Sequence, residues 1–167
     1  LCMISISYGQ RKKKNDAEPQ PAPIAQTPKL VVGIVVDQMR YDYLTRFWNQ
    51  YGEGGFKRLV NEGFNCKNNH FNYAPTSTGP GHTSVYTGTT PSMHGIIGNN
   101  WFDKESGEDV YCAGDDTYTS VGTTSDAGQM SPHRMLTTTI TDQLRLHTQK
   151  RGKVIGVALK DRGAVLP

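Results

Sequence analysis

The run KLVVGIVVD, residues 29–37, constrains the fold more than any other stretch of this chain. A strand with one wet face alternates apolar and polar residues. This run does not alternate, so both of its faces should be buried, as in a central strand of a parallel sheet. Asp37 then stands at the carboxyl end of that strand, where ligands bind in open α/β sheets. A blander reading has Asp37 capping a helix over residues 38–49, since Asp is common at such caps. The residues alone leave the two readings open.

The rest of the pattern is consistent with this start. GGFKRLVNEGF predicts a short helix with Phe56, Leu59 and Val60 inward and Gly63 as its stop. FNCKNNHFNYAPT, residues 64–76, begins with strand-like alternation and ends in turn signals. TSTGPGHTSVYTG predicts a helix with Pro80 in its first turn and Gly88 at its end. Residues 103–130 are rich in Thr, Gly and Ser and predict a surface excursion with one short hairpin. Ser131 and Pro132 suit the N-cap and first position of a helix whose Leu136, Ile140 and Leu144 form one buried stripe. GKVIGVALK, residues 152–160, is a second buried strand ending in Lys160. Strand, helices, strand, helix, strand is the order of an α/β domain with a parallel sheet.

The chain has 167 residues, enough for one domain, and 35% are hydrophobic. No stretch after Leu30 approaches the roughly 20 apolar residues of a membrane span. The net charge is +3, and Arg11 to Lys14 supply a cluster of four cations. Without them the balance is near neutral, which gives no nucleic-acid footprint. Residues 1–9 resemble the tail of a signal peptide, which implies export to the periplasm or beyond. A lipoprotein anchor on Cys2 is compatible with the same residues. Residues 10–28 are charged, then Pro-rich, and predict a disordered linker, so the folded domain is expected over 29–167. Cys66 and Cys112 suit either a disulfide in an exported protein or two free thiols, and spacing does not decide between them. The opening without Met, and a final residue seven positions after a strand, suggest the N-terminal part of a longer frame.

TSTGPGHT, residues 76–83, concentrates hydroxyls where a helix should begin. A hydroxyl there sits in a positive field among free backbone N–H groups, which suits an oxyanion and attracts phosphate. Gly79 and Gly81 would let a bulky anion approach. Thr78 is thus a candidate nucleophile, but on this segment alone a plain N-cap is the preferred reading, since caps far outnumber nucleophiles. The signatures GxSxG and GxxxxGK[ST] do not occur. Asp37 and Thr78 could share a zinc ion, but zinc needs about four ligands. The histidines do not complete the set: His82 falls one turn beyond Thr78, His94 suits a loop brace, and His70, His133 and His147 lack partner spacing.

GIVVDQMR, YAPTSTGPGHTSVYTGTTPSMHGIIGNNWFD and KDRGAVLP together resemble the alkaline phosphatase superfamily. They are most similar to the bacterial phosphate-irrepressible alkaline phosphatases, which use a Thr nucleophile. The likeness runs over about residues 29–167, only the N-terminal portion of the family's chain. It implies a parallel-sheet alkaline-phosphatase-like core and hydrolysis of small-molecule phosphate monoesters. It also implies a phosphothreonine intermediate and two Zn2+ ions per complete active site. Asp37 matches a metal ligand. Thr78 matches the nucleophile, which also contacts metal. Asn99 matches the side chain that binds a phosphoryl oxygen, with Asn100 as the neighbour one register away. Lys160 and Arg162 match the basic pair on the transferring group. The family's remaining metal ligands fall beyond Pro167, so the chain as given is expected to bind zinc poorly and not to turn over. A nucleotide pyrophosphatase/phosphodiesterase shares most of these motifs, but KDRG favours monoesters, whose terminal dianion carries more charge. A sulfatase lacks support, since the Cys/Ser-x-Pro-x-Arg pattern is absent. A non-catalytic phosphate-binding remnant is the alternative of a different class.

Overall fold

The computed structural model describes residues 28–167. The expected signal-peptide remnant (1–9) and all but the last residue of the expected linker (10–28) therefore lie outside the described residues. The chain divides into two units, one ending at Asn69 and the other spanning His70–Pro167.

In the first unit the 29–37 run is not a strand. Leu30, Val31, Val32 and Ile34 are each more than two-thirds exposed, and none of them joins a ladder. β-Branched composition makes a segment fit for a sheet but does not supply one, because a strand exists only through its edge partners. The predicted helix over 38–49 is also displaced. Gln38 has φ 60, a left-handed conformation in which a helix cannot start. Helix α1 (Tyr43–Arg46) begins instead after Asp42, so Asp37 is not a helix cap. A 3₁₀ turn (Trp48–Gln50) and a wider helical turn (Glu53–Lys57) lead into α2 (Arg58–Glu62), which stops at Gly63 as predicted. Phe56 and Val60 are half-buried, but Leu59 faces out. Tyr51 stacks against Phe56, and its hydroxyl donates to the Tyr43 carbonyl at 2.8 Å.

The second unit holds α3 (Thr78–Thr87), α4 (Pro91–His94), strands β1 (Asn100–Asp103) and β2 (Glu108–Tyr111), α5 (Ile140–His147) and α6 (Arg162–Val165). β1 and β2 form an antiparallel hairpin that pairs Asn100 with Tyr111. This hairpin, close to the short one predicted within 103–130, is the one sheet among the described residues. Its core is Ile96, Cys112, Ala113 and Leu166, flanked by Trp101, Tyr111, Met130, Met135 and Val165. Helix α3 matches its prediction and ends on Gly88.

Two predictions in this unit are corrected. Ser131 does not open a helix, because its hydroxyl bonds Asp115 and accepts from the His133 N–H. The following Thr137, Thr138 and Thr139 are β-branched and disfavour helix. Thr139 and Asp142 then form a reciprocal capping box that starts α5 at Ile140. Leu136, Ile140 and Leu144 are exposed rather than a buried stripe. Residues 152–160 likewise form no ladder, and Ile155, Val157 and Leu159 face out. A Cβ on Gly156 would lie 2.6 Å from the Ala164 carbonyl, so this segment folds back onto α6. The expected parallel sheet is thus not among the described residues, and the α/β character here is helices with one small sheet.

The loop after α4 is held by a buried histidine. The Ile96 N–H donates to His94 Nδ1 at 3.1 Å, so that nitrogen carries no proton. The neutral ring must then donate from Nε2 to Ser84 Oγ, 2.9 Å away on α3. Gly95 has φ 81, and any Cβ there would sit 2.9 Å from Leu136 Cγ, so only glycine fits the turn. His94 braces this loop, as the sequence suggests. Burial lowers its pKa. A histidine that stays neutral when folded contributes stability above its unfolded pKa, near 6.5, and loses it as pH falls below that value. His94→Ala should therefore cost about 2–4 kcal/mol at pH 8 by orphaning the Ile96 N–H and Ser84. It should also flatten the fall in stability below about pH 6.5, read by urea denaturation across pH.

Candidate active site

Thr78 is the first residue of α3 and is 9% exposed. The N-cap is Ser77, which makes no side-chain capping bond. The hydroxyl of Thr78 is thus one position past the cap, and the plain capping reading fails. The Gly79 N–H at this helix start donates to Asn99 Oδ1 at 2.7 Å. An N–H can face only the oxygen of an amide, so this bond fixes the orientation of Asn99. Its Nδ2 donor is left for another partner. Asn100, by contrast, begins β1 and is exposed. A Cβ on Gly79 would lie 3.2 Å from each of Asn99 Oδ1, Cys112 Sγ and the Gly98 carbonyl. Glycine is therefore what lets Asn99 reach the helix terminus.

His82 Nδ1 lies 2.9 Å from the Thr78 carbonyl. A carbonyl only accepts, so this nitrogen carries the proton and cannot take one from Thr78. What the chain itself gives the hydroxyl is the positive end of a ten-residue helix.

Arg162 opens α6, and α6 packs on α3. A Cβ on Gly163 would fall 3.7 Å from His82 Nε2 and 3.2 Å from Ala158 Cβ, so α6 sits close against α3. Arg162 Nη1 donates to the Tyr111 hydroxyl at 2.9 Å, and that hydroxyl donates to Asp161 Oδ1 at 2.5 Å. Asp161 also accepts from the Arg162 N–H at 2.6 Å, capping α6. The guanidinium lies 5.8 Å from the centre of the Tyr111 ring. Burial disfavours the charge of Arg162, but its bond to Tyr111 offsets this and its pKa is raised. Burial, aided by the bond to Asp161, raises the pKa of Tyr111, which stays a neutral phenol into alkaline solution. Cys112, buried beside these groups, is pushed up to about 11 by desolvation and is an inert thiol. Cys66 and Cys112 are both free.

The second unit thus carries Thr78, Asn99, Lys160 and Arg162. Lys160 is exposed, just before α6. Asp37 is half-buried in the first unit. Among the described residues no three His, Cys, Asp or Glu side chains gather as a metal site. Zinc needs about four ligands, so neither unit's described residues by themselves fit the ion. Sequence reasoning missed Tyr111 and Asp161. Tyr111 belongs to no motif, and its role depends on a pairing fifty residues away that no local spacing shows. No described helix is long and apolar enough to cross a membrane.

A family model described as type I phosphodiesterase / nucleotide pyrophosphatase matches residues 31–161. The chain is 56% identical over 170 residues to alkaline phosphatase PhoV of Synechococcus elongatus, covering 100% of itself and 31% of PhoV. It is 58% identical over 168 residues to alkaline phosphatase PafA of Elizabethkingia meningoseptica, covering 100% of itself and 30% of PafA. The crystal structure of wild-type PafA matches with a TM-score of 0.82 at 58% identity, over 84% of this chain and 27% of that one. The chain therefore spans less than a third of these relatives and shares the α/β fold of the solved phosphatase over that portion.

Proposed function

Because the chain belongs to the type I phosphodiesterase / nucleotide pyrophosphatase family, within the alkaline phosphatase superfamily, we propose that it carries part of the active site of a phosphomonoesterase with Thr78 as nucleophile. The observation that carries this reading is the start of α3. A buried hydroxyl lies one residue past an unbonded N-cap, beside an asparagine held by the next backbone N–H.

In this reading Thr78 Oγ1 bonds to phosphorus as the ester oxygen leaves, and water then cleaves the phosphothreonine. The transition state spreads negative charge over the outer phosphoryl oxygens. Asn99 Nδ2 donates to one of them. Arg162 offers a planar fork to two, and Lys160 adds a compact cation. The motif resemblance implies a pair of zinc ions, which would suit two-metal phosphoryl transfer. Asp37 and Thr78 are the ligands this chain would contribute. The substrates would be small phosphate esters met outside the cytoplasm, in keeping with the export signal read at residues 1–9.

The family description favours a second reading, phosphodiester or pyrophosphate cleavage. The names of the similar relatives favour monoesters, as does the pair Lys160 and Arg162. The test, in the active protein that contains this chain, is kcat/KM for a nitrophenyl phosphate monoester and the matching methyl diester. The monoester should be faster by roughly a hundredfold or more, a ratio set by how well the site meets the dianion. A faster diester would transfer the proposal to the pyrophosphatase/phosphodiesterase reading.

A further inference from the structure

We propose that Tyr111 is a positioning residue that fixes the guanidinium of Arg162 so that one edge is kept for the phosphoryl group. This inference rests on the reading of Arg162 given above.

A guanidinium has two edges able to bind two oxygens at once. One pairs Nη1 with Nη2, the other pairs Nε with Nη2. Tyr111 accepts from Nη1, which ties that nitrogen to the protein. On the remaining edge, Nε is buried and has no hydrogen-bond partner. A buried, unpaired N–H is costly, about 1–3 kcal/mol, and in a folded protein asks for an explanation. The Nε–Nη2 edge matches two oxygens of a phosphoryl group, and a ligand that took both donors would have to displace the groups that now cover Nε.

Tyr111 suits this task for three reasons. Its hydroxyl has one proton, and Asp161 takes it at 2.5 Å. The oxygen is therefore turned to accept from Arg162 and not to compete with it as a donor. Its ring lies against the guanidinium at 5.8 Å, which restricts rotation about the last side-chain bonds. It sits at the end of β2, paired across the hairpin with Asn100, next to the asparagine that meets Thr78's helix. The hairpin thereby links the two groups assigned to the phosphoryl oxygens, Asn99 and Arg162. Asp161 keeps the arrangement in register, because one oxygen accepts from both Tyr111 and the Arg162 N–H.

The test is a double-mutant cycle in the active protein that contains this chain, with Tyr111→Phe, Arg162→Ala and the pair. Phenylalanine keeps the ring and removes only the hydroxyl. Monoester kcat/KM and the inhibition constant of inorganic phosphate are measured for each, with thermal denaturation to follow folding. Tyr111→Phe should lower kcat/KM about three- to tenfold and weaken phosphate inhibition similarly. It should have no further effect once Arg162 is alanine. An equal loss in both backgrounds, or none in either, overturns the positioning role while Arg162 keeps its own. If Arg162→Ala alone changes neither quantity, the phosphoryl role of Arg162 falls, and the role of Tyr111 with it.

Discussion

In the active protein that contains this chain, Thr78→Ala is expected to lower monoester turnover by about 10⁴-fold or more, while Thr78→Ser keeps measurable activity. The structure allows this result to be read as chemistry. Thr78 is the first residue of α3 and not its cap, and alanine is compatible with helical backbone there. The substitution should therefore cost little helix stability, and thermal denaturation would show it. Serine returns the hydroxyl without the methyl group, so it restores the attacking atom in a looser setting. Acid quench of the wild type with labelled monoester should leave phosphate on the protein, and the alanine variant should leave none. If Thr78→Ala hydrolyses normally, the alcohol is not the nucleophile. The α3 terminus would then only bind phosphate, as the non-catalytic reading has it.

The local signals were legible in the sequence where a residue acts within one turn of itself. Gly63 and Gly88 end helices as their positions suggest, and Thr78 opens α3. The same holds for the role of His94, a loop brace bonded to Ile96 two residues on, although its second partner Ser84 is ten residues back on α3. What failed was inference from composition to pairing. Residues 29–37 and 152–160 have the content of buried strands yet join no ladder, because a ladder is a property of two segments and composition describes one. The helix placed at Ser131 failed for a related reason. A cap residue can be claimed by a distant partner, and Asp115 claims the hydroxyl of Ser131. Of the candidate site, Thr78, Asn99, Lys160 and Arg162 were named from motifs. Tyr111 was not, since its value comes from a contact between β2 and α6.

Arg162 is where a substitution should separate monoester from diester chemistry. Each hydrogen bond to a charged group is worth about 1.5–3 kcal/mol, so loss of a two-pronged contact should cost monoester kcat/KM on the order of 10³-fold in Arg162→Ala. Arg162→Lys restores charge but not the fork, and should recover less than about tenfold of that. A lysine cannot hold Tyr111 and also present a planar edge to two oxygens. A monoester presents a terminal dianion, whereas a diester has one of those oxygens blocked by carbon. The alanine variant should therefore lose more on the monoester than on the diester, and the ratio of the two rates should fall. An equal loss on both substrates would mean that Arg162 serves the phosphoryl group without sensing its charge. The preference for monoesters would then have to come from Lys160.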